Sequence, residues 1–388
     1  MEFLKRAWAE IHLDRLKANV ENYKKHLSPN TDIMCVVKAD SYGHDSEICS
    51  EYLQNTVGIK WFAVSNLEEA IELRESGINS EILILGYTPP EYANVIAHNN
   101  IIQTITEFDY ACQLSKSANS KIRVHIKMDT GMTRLGLRHQ HPQEYVDEIK
   151  SISQIENIQV EGIFTHLSVA DSTSPEDISY TKSQQALFDD IKARLVAEQL
   201  DIKQFHSLNS AGGIFHYDKE STLARLGIML YGLNPDSRLI PPYQLHPVMD
   251  IKAVVSQVKT IEAGVCVSYG RTFVTKAETK LATVAIGYAD GIPRSLSNKG
   301  QVLINGNRAN IVGTVCMDQL MIDVTGLDTK AGDTVTLIGL DGSECITADD
   351  IADICGTIGY EIVCGITKRV PRIIYKNGEI LCVRKALY

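Results

Sequence analysis

Eight short, dense runs of apolar residues, each separated from the next by a stretch with helical spacing, constrain the fold of this chain most. They fall at 33–37, 61–64, 82–85, 101–104, 122–127, 160–165, 204–207 and 223–231. Apolar side chains fill consecutive positions rather than alternate ones, the pattern of parallel strands covered on both faces. The stretches at 46–56, 67–75, 90–98, 107–117, 142–155 and 181–200 read as helices between them. An amphipathic helix at 13–27, with Leu16, Val20 and Tyr23 on one face, precedes the first run. Eight strands in about 200 residues is the number a closed (β/α)8 barrel of TIM type needs, whereas an open doubly wound sheet more often has five or six. Neither Gly-x-Gly-x-x-Gly after the first strand nor Gly-x-x-x-x-Gly-Lys-Ser/Thr occurs, so the dinucleotide and nucleotide fingerprints are missing.

The pattern changes where Pro235, Pro241, Pro242 and Pro247 crowd into one stretch. Beyond it, short β-branched runs at 251–261, 280–286, 301–304, 321–324 and 334–338 alternate with Gly- and Asn-bearing turns, which predicts a β-rich second domain. One helix interrupts it, with Thr347 as its cap, Asp350 three residues on and Gly356 as its stop. A chain of 388 residues is long enough for this division. The barrel is placed over 11–240 and the C-terminal β-rich domain over 241–388, with residues 1–10 contributing to the latter.

A formal net charge of -10 with no basic block argues against nucleic acid or an anionic membrane surface as partner. The nine cysteines are scattered and form no Cys-x-x-Cys pair, which predicts neither a disulfide scaffold nor a structural metal. The N-terminal stretch lacks the apolar core of a signal peptide, and no run of about 18 apolar residues is available to span a membrane. The expected location is the cytoplasm.

In such a barrel the working residues lie just past the C-terminal ends of the strands. Lys38 and Tyr42 follow the first run, and Arg134 follows the fifth within Lys127-Met128-Asp129-Thr130-Gly131-Met132-Thr133-Arg134. His166 ends the sixth, Asn209 and Ser210 follow the seventh, and Arg225 lies in the eighth. A lysine at the end of a buried strand has its pKa lowered by desolvation, and its amine can form an imine with a carbonyl cofactor such as pyridoxal phosphate. That cofactor also needs a phosphate cradle, which hydroxyls of Tyr42 and Ser210 and turns near Gly212 and Gly227 can supply. It needs a partner for its pyridine nitrogen as well. An arginine there cannot accept a hydrogen bond and leaves the nitrogen unprotonated, weakening the electron sink in favour of rapid reprotonation.

The blocks VVKADSYGH, KMDTGMTRLG, HLSVAD, NSAG, ARLGIMLYG, VSYGRTF, IGYADGIPR, VGTVCMDQLMIDV and TIGYE resemble those of bacterial alanine racemases, in order and approximate spacing from Trp8 to the C-terminus. The resemblance implies a fold-type III pyridoxal-phosphate enzyme, a homodimer whose active sites draw on both chains, acting on a small amino acid. It implies that Lys38 holds the cofactor and is the base on the D face, while Tyr269 from the partner subunit acts on the L face. Arg225 would face the pyridine nitrogen, and His166 would pack beside it and reach the partner's Tyr269. Tyr42, Ser210, Tyr360 and the N–H groups of Gly227 and Ile228 would hold the phosphate, with Asn209 beside them.

By the same resemblance Arg134 and the N–H of Met317 bind the substrate carboxylate, and Lys127 matches a lysine that is carbamylated in many members. Tyr288 and Asp318 match the partner-side wall. Asp171 and Arg294 match an outer gate, and Ile358 and Tyr360 an inner one. The block VGTVCMDQ departs from the family at Thr314, where many members carry an arginine, which implies an outer gate without that arginine opposite Asp171. A tyrosine has a pKa near 10, so its use as a base requires cationic neighbours, for which Arg225 acting through His166 is the implied source. The expected reaction is two-base racemization of alanine, supplying D-alanine for peptidoglycan. Serine-racemizing relatives carry asparagine where this chain has Tyr360, so serine or broader specificity is the alternative. A decarboxylase would place a carboxylate at the ring nitrogen, and a cofactor-holding barrel protein without enzymatic activity would lack the VSYG and CMDQ blocks.

Overall fold

The computed structural model describes residues 3–216, 221–236 and 239–384. The strands in chain order are β1 Ala7–His12, β2 Asp32–Val36, β3 Trp61–Val64, β4 Glu81–Ile84, β5 Ile102–Ile105, β6 Ile122–Lys127, β7 Ile158–Phe164, β8 Gln204–His206 and β9 Leu223–Leu226, all before the Pro-rich stretch. After it come β10 Met249–Ile261, β11 Cys266–Val267, β12 Phe273–Val274, β13 Thr279–Val284, β14 Gln301–Ile304, β15 Asn307–Ile311, β16 Leu320–Asp323, β17 Thr334–Asp341, β18 Glu344–Ile346, β19 Arg372–Lys376 and β20 Glu379–Arg384.

β2 to β9 form one parallel sheet in the order β8-β7-β6-β5-β4-β3-β2-β9. Met34, the middle residue of β2, pairs with Trp61 on one side and Arg225 on the other. The circle closes between β8 and β9 through single bonds rather than a ladder: Thr222 N donates to Phe205 O at 2.9 Å and Arg225 N to Leu208 O at 3.0 Å. β3 and β5 are buried at every position, as expected of strands with helices on one face and a filled barrel interior on the other.

Several boundaries move by up to three residues from the sequence reading, and two larger shifts have identifiable reasons. The eighth strand stops at Leu226 instead of running to 231. Gly227 breaks it, donating its N–H to Ser210 Oγ at 2.8 Å, and Ile228–Tyr231 winds into a 3-10 turn. The long helix begins at Pro175 rather than 181, because the Ser174 side chain accepts from Asp177 N and Pro175 suits the first turn.

Beyond the Pro-rich stretch, β17-β14-β15-β16-β13-β10 form an antiparallel ring that closes because β17 also pairs with β10. β1 crosses from the N-terminus to lie between β10, antiparallel, and β19, parallel. Thr347 and Asp350 form the expected capping box on the helix Ala348–Cys355, and Gly356 stops it in the left-handed conformation. A second helix there, Gly359–Cys364, was not expected and carries Tyr360.

Candidate active site

The C-terminal mouth of the parallel barrel opens into a cavity of about 440 Å³. β2 delivers Lys38 and Tyr42 to it, β6 delivers Lys127, and the loop after β6 delivers Arg134. Phe164 and His166 come from the end of β7 and Asp171 from the loop beyond. Asn209 and Ser210 follow β8, Arg225, Gly227 and Ile228 belong to or follow β9, and Tyr360 reaches in from the second domain. Four cationic side chains thus face one carboxylate among the described residues of the lining, opposite in balance to the chain as a whole.

Lys38 stands at the start of an unusual backbone segment. Ala39, Asp40, Ser41 and Tyr42 all have φ between 52° and 54°, one turn of left-handed helix built from L-residues. Each such residue costs roughly 1–2 kcal/mol, so tertiary bonds must hold it. Ala39 N donates to Glu69 Oε1 at 2.8 Å, and the other oxygen of Glu69 accepts from Ser65 N at 2.7 Å. Asp40 accepts from Ser46 N at 2.8 Å. Burial, then repulsion by Arg134, holds the Lys38 ammonium below the usual lysine range, with Glu69 opposing.

Lys127 is pushed further, to about 7, by burial and by the charges of Arg225 and Arg134. The loop bearing Arg134 is shaped by Asp129, whose Oδ1 accepts from Thr133 N at 2.8 Å and Gly131 N at 3.0 Å. Arg134 has no hydrogen bond or ion pair among the described residues.

Arg225 is fully committed at its two terminal nitrogens. Nη1 donates to His206 O at 2.9 Å and meets His206 Nδ1 at 2.8 Å. Nη2 donates to Thr165 O at 2.7 Å and Ser207 O at 3.1 Å, and meets His166 Nδ1 at 3.3 Å. Nε is the one guanidinium nitrogen without a hydrogen bond among the described residues, and no carboxylate pairs with the group. Burial lowers Arg225 to about 10, which leaves it charged at neutral pH. Burial and the cations around them hold His166 and His206 far below the usual imidazole range, so both rings are neutral. An always-charged donor on Nδ1 then puts the proton of each ring on Nε2. His206 Nε2 meets His125 Nδ1 at 3.0 Å, extending the chain inward.

These residues fit pyridoxal phosphate. A Cβ added at Gly227 would lie 3.2 Å from Tyr42 Oη and 3.6 Å from Ser210 Oγ, so glycine keeps open a space rimmed by two hydroxyls. The neighbouring N–H of Ile228 has no acceptor among the described residues.

Tyr269, Tyr288, Arg294, Met317 and Asp318 do not line this cavity. They sit on the second domain, where Tyr288 N donates to Cys316 O and Ala289 N to Met317 O, both at 3.0 Å. Tyr269, Tyr288 and Met317 are 71%, 42% and 52% exposed. Asp318 pairs with Arg369 at 2.9 Å, and Arg294 is exposed. Ile358 is exposed beside a smaller cavity that it shares with Pro235 and Asp349. Thr314, expected at the outer gate, is buried beneath the Tyr269 turn and is not in the lining around Asp171.

Three residues escaped the sequence reading. His206 and His125 fix Arg225 but read as ordinary members of apolar strands. Glu69 had a signal: Asn66 caps the helix Leu67–Glu75 with Glu69 three residues on, the spacing of a capping box. Its carboxylate instead spans Ser65 and Ala39.

Residues 11–235 match the family profile described as alanine racemase, N-terminal domain, and residues 248–374 that described as alanine racemase, C-terminal domain. The chain is 40% identical over 391 residues to alanine racemase from Clostridium novyi (strain NT), covering 98% of each. The crystal structure of alanine racemase from Bacillus anthracis with bound L-Ala-P superposes with a TM-score of 0.91 at 36% identity, covering 100% of this chain and 99% of that one. Histidine racemase from Leuconostoc mesenteroides subsp. sake superposes at 0.85 with 27% identity, covering 96% and 98%.

Proposed function

The chain belongs to the alanine racemase family, and from that premise we propose that it interconverts L-alanine and D-alanine with pyridoxal 5'-phosphate held in the barrel mouth. The observation that carries this reading is the setting of Arg225: buried, bonded to carbonyls and neutral histidines, with no carboxylate partner among the described residues and Nε uncommitted. A guanidinium presented to the pyridine nitrogen cannot accept a hydrogen bond, so that nitrogen stays unprotonated. Return of the α-proton is then favoured over decarboxylation or transamination.

Bound there, the cofactor would draw electron density from the substrate α-carbon and make its hydrogen acidic. Lys38 holds the cofactor and carries the proton on the D face; the partner subunit's Tyr269 carries it on the L face. His166, with its proton on Nε2, links that phenol to Arg225, whose charge favours the phenolate. Tyr42, Ser210, Tyr360 and the N–H groups of Gly227 and Ile228 hold the phosphate, with Asn209 beside them. Arg134 and the N–H of the partner's Met317 bind the substrate carboxylate.

Lys127 loses its proton near neutrality, and the free amine adds CO2 with release of a proton. The resulting carbamate would accept hydrogen bonds from Arg134. Asp171 and Arg294 form the outer gate, Ile358 and Tyr360 the inner one, and Tyr288 and Asp318 the wall supplied by the partner. The enzyme acts as a homodimer, with 11–240 as the cofactor domain and 241–388 plus 1–10 as the domain that carries Tyr269 to the other subunit. Exposure of Tyr269, Tyr288 and Met317 supports that arrangement. No helix among the described residues is long and apolar enough to cross a membrane. We place the enzyme in the cytoplasm, supplying D-alanine for peptidoglycan.

The test is turnover of L-alanine, L-serine, L-lysine and L-histidine by the cofactor-loaded protein. Alanine should exceed serine roughly tenfold or more, since a small pocket discriminates modestly against one added hydroxyl. Faster serine turnover would shift the assignment to the broader racemase reading, and no turnover with cofactor bound would sink it. Mixing inactive Lys38→Ala and Tyr269→Phe proteins under subunit exchange should restore activity; no restoration would overturn the shared site.

A further inference from the structure

Tyr269 sits on backbone that L-residues avoid. Ser268 before it has φ 66° and ψ -174°, a region that is essentially glycine's, and Gly270 and Arg271 after it have φ 72° and 53°. Such a turn persists only where its surroundings hold it. The β11–β12 pair closes its base, and the segment Gly313–Cys316 holds Ser268 and Tyr269 themselves. Ser268 Oγ donates to Thr314 O at 2.6 Å, and Thr314 Oγ1 donates to Tyr269 O at 2.8 Å. A Cβ added at Gly313 would lie 2.8 Å from both Ser268 Cβ and Val267 O, so the two segments touch at the backbone.

The hydroxyl hydrogens around Thr314 can be assigned. Because Thr314 gives its hydrogen to Tyr269, its oxygen accepts from Thr272 Oγ1 at 3.4 Å, and Thr272 in turn accepts from Asn298 Nδ2 at 3.0 Å. Asn298 Oδ1 closes the circuit by accepting from Gly313 N at 2.6 Å. Every bond runs toward the Tyr269 carbonyl. Thr314 is 5% exposed, so water does not compete freely for its hydroxyl.

We propose that Thr314 is the positioning residue for Tyr269, clamping the carbonyl of the turn so that the exposed phenol is presented in one orientation. The proposal rests on Tyr269 being the L-face base. It assigns position 314 a hydrogen-bonding duty inside its own chain, in place of a charge at the gate.

Solvent deuterium exchange at the α-carbon tests it, because exchange into L-alanine requires Tyr269 and exchange into D-alanine requires Lys38. Thr314→Val, which keeps the shape and removes the hydroxyl, should slow L-alanine exchange roughly five- to tenfold relative to D-alanine exchange, the loss of about one hydrogen bond. Its KM should stay near that of the parent, and Thr314→Ser should restore the ratio. Thr272→Val, which removes the donor to Thr314, should change the ratio in the same direction and stands in if Thr314→Val does not fold. An unchanged ratio in whichever of these variants folds, or a ratio that serine fails to restore, would overturn the clamp. Tyr269→Phe is the reference: if it slows both exchanges alike, the reading of Tyr269 falls and the clamp with it. If Tyr269→Phe is one-sided while Thr314→Val is not, only the clamp falls.

Discussion

Lys127 and Lys38 share a cause for their altered acidity, burial beside other cations, and Lys127 gives the sharper consequence. Its pKa falls to about 7 in the folded chain, against about 10.4 for a lysine in the unfolded one. Between those values the unfolded state holds a proton that the folded state has released, so stability rises with pH across that window. At pH 6 both states are protonated and the folded state bears the cost of a buried cation. In CO2-free buffer Lys127→Met should therefore be more stable than the parent at pH 6, on the order of 2 kcal/mol. The gap should close as pH approaches 10. Urea unfolding at the two pH values reads this directly, and a gap that does not change with pH would contradict it.

Among the elements, the left-handed turn after Lys38 is tied to the helix Leu67–Glu75 through one carboxylate. Glu69 accepts from Ala39 N and Ser65 N with its two oxygens. Glu69→Gln turns one acceptor into a donor facing a backbone N–H and removes the charge. A loss of about 1–3 kcal/mol in unfolding free energy is expected, together with slower attachment of the cofactor to Lys38. Unchanged stability and attachment rate would show that the turn is held sufficiently by Asp40 and by His44, whose Nδ1 meets Ser41 O at 2.9 Å and Tyr42 O at 3.0 Å. A turn containing Gly43 was readable after Lys38, but its left-handed sense was not, since Ala39-Asp40-Ser41-Tyr42 contains no glycine and Glu69 lies outside it. The eight barrel strands were readable because burial on both faces writes itself into consecutive positions. Lys38 and Arg225 each had an innocent reading alone, as a strand-end lysine and an ion-pair member, and were placed at the barrel mouth by their company on one rim and by the family resemblance. β1 was missed as a strand: Ala7–His12 mixes Trp8 and Ile11 with Glu10 and His12, and its pairing depends on strands far along the chain. Its polar members are matched locally, Glu10 by Lys252 at 2.7 Å and His12 by Asp250 at 3.1 Å.

At the scale of the molecule, β1 joins the two halves. It lies between β10 and β19, so its deletion leaves two inner strands with open edges. A chain starting at Leu13 should lose on the order of 10 °C in Tm and aggregate on heating. An unchanged Tm would mean that β10 and β19 close over the gap. The same strand sets a schedule during synthesis. It is made before every strand of the barrel, yet its neighbours on both sides, β10 and β19, are made after all of them. The parallel barrel can close while translation continues, but β1 must wait unpartnered until β10 has emerged, and keeps one open edge until β19 follows. Nascent chains halted before β19 should accordingly be the ones that chaperones retain.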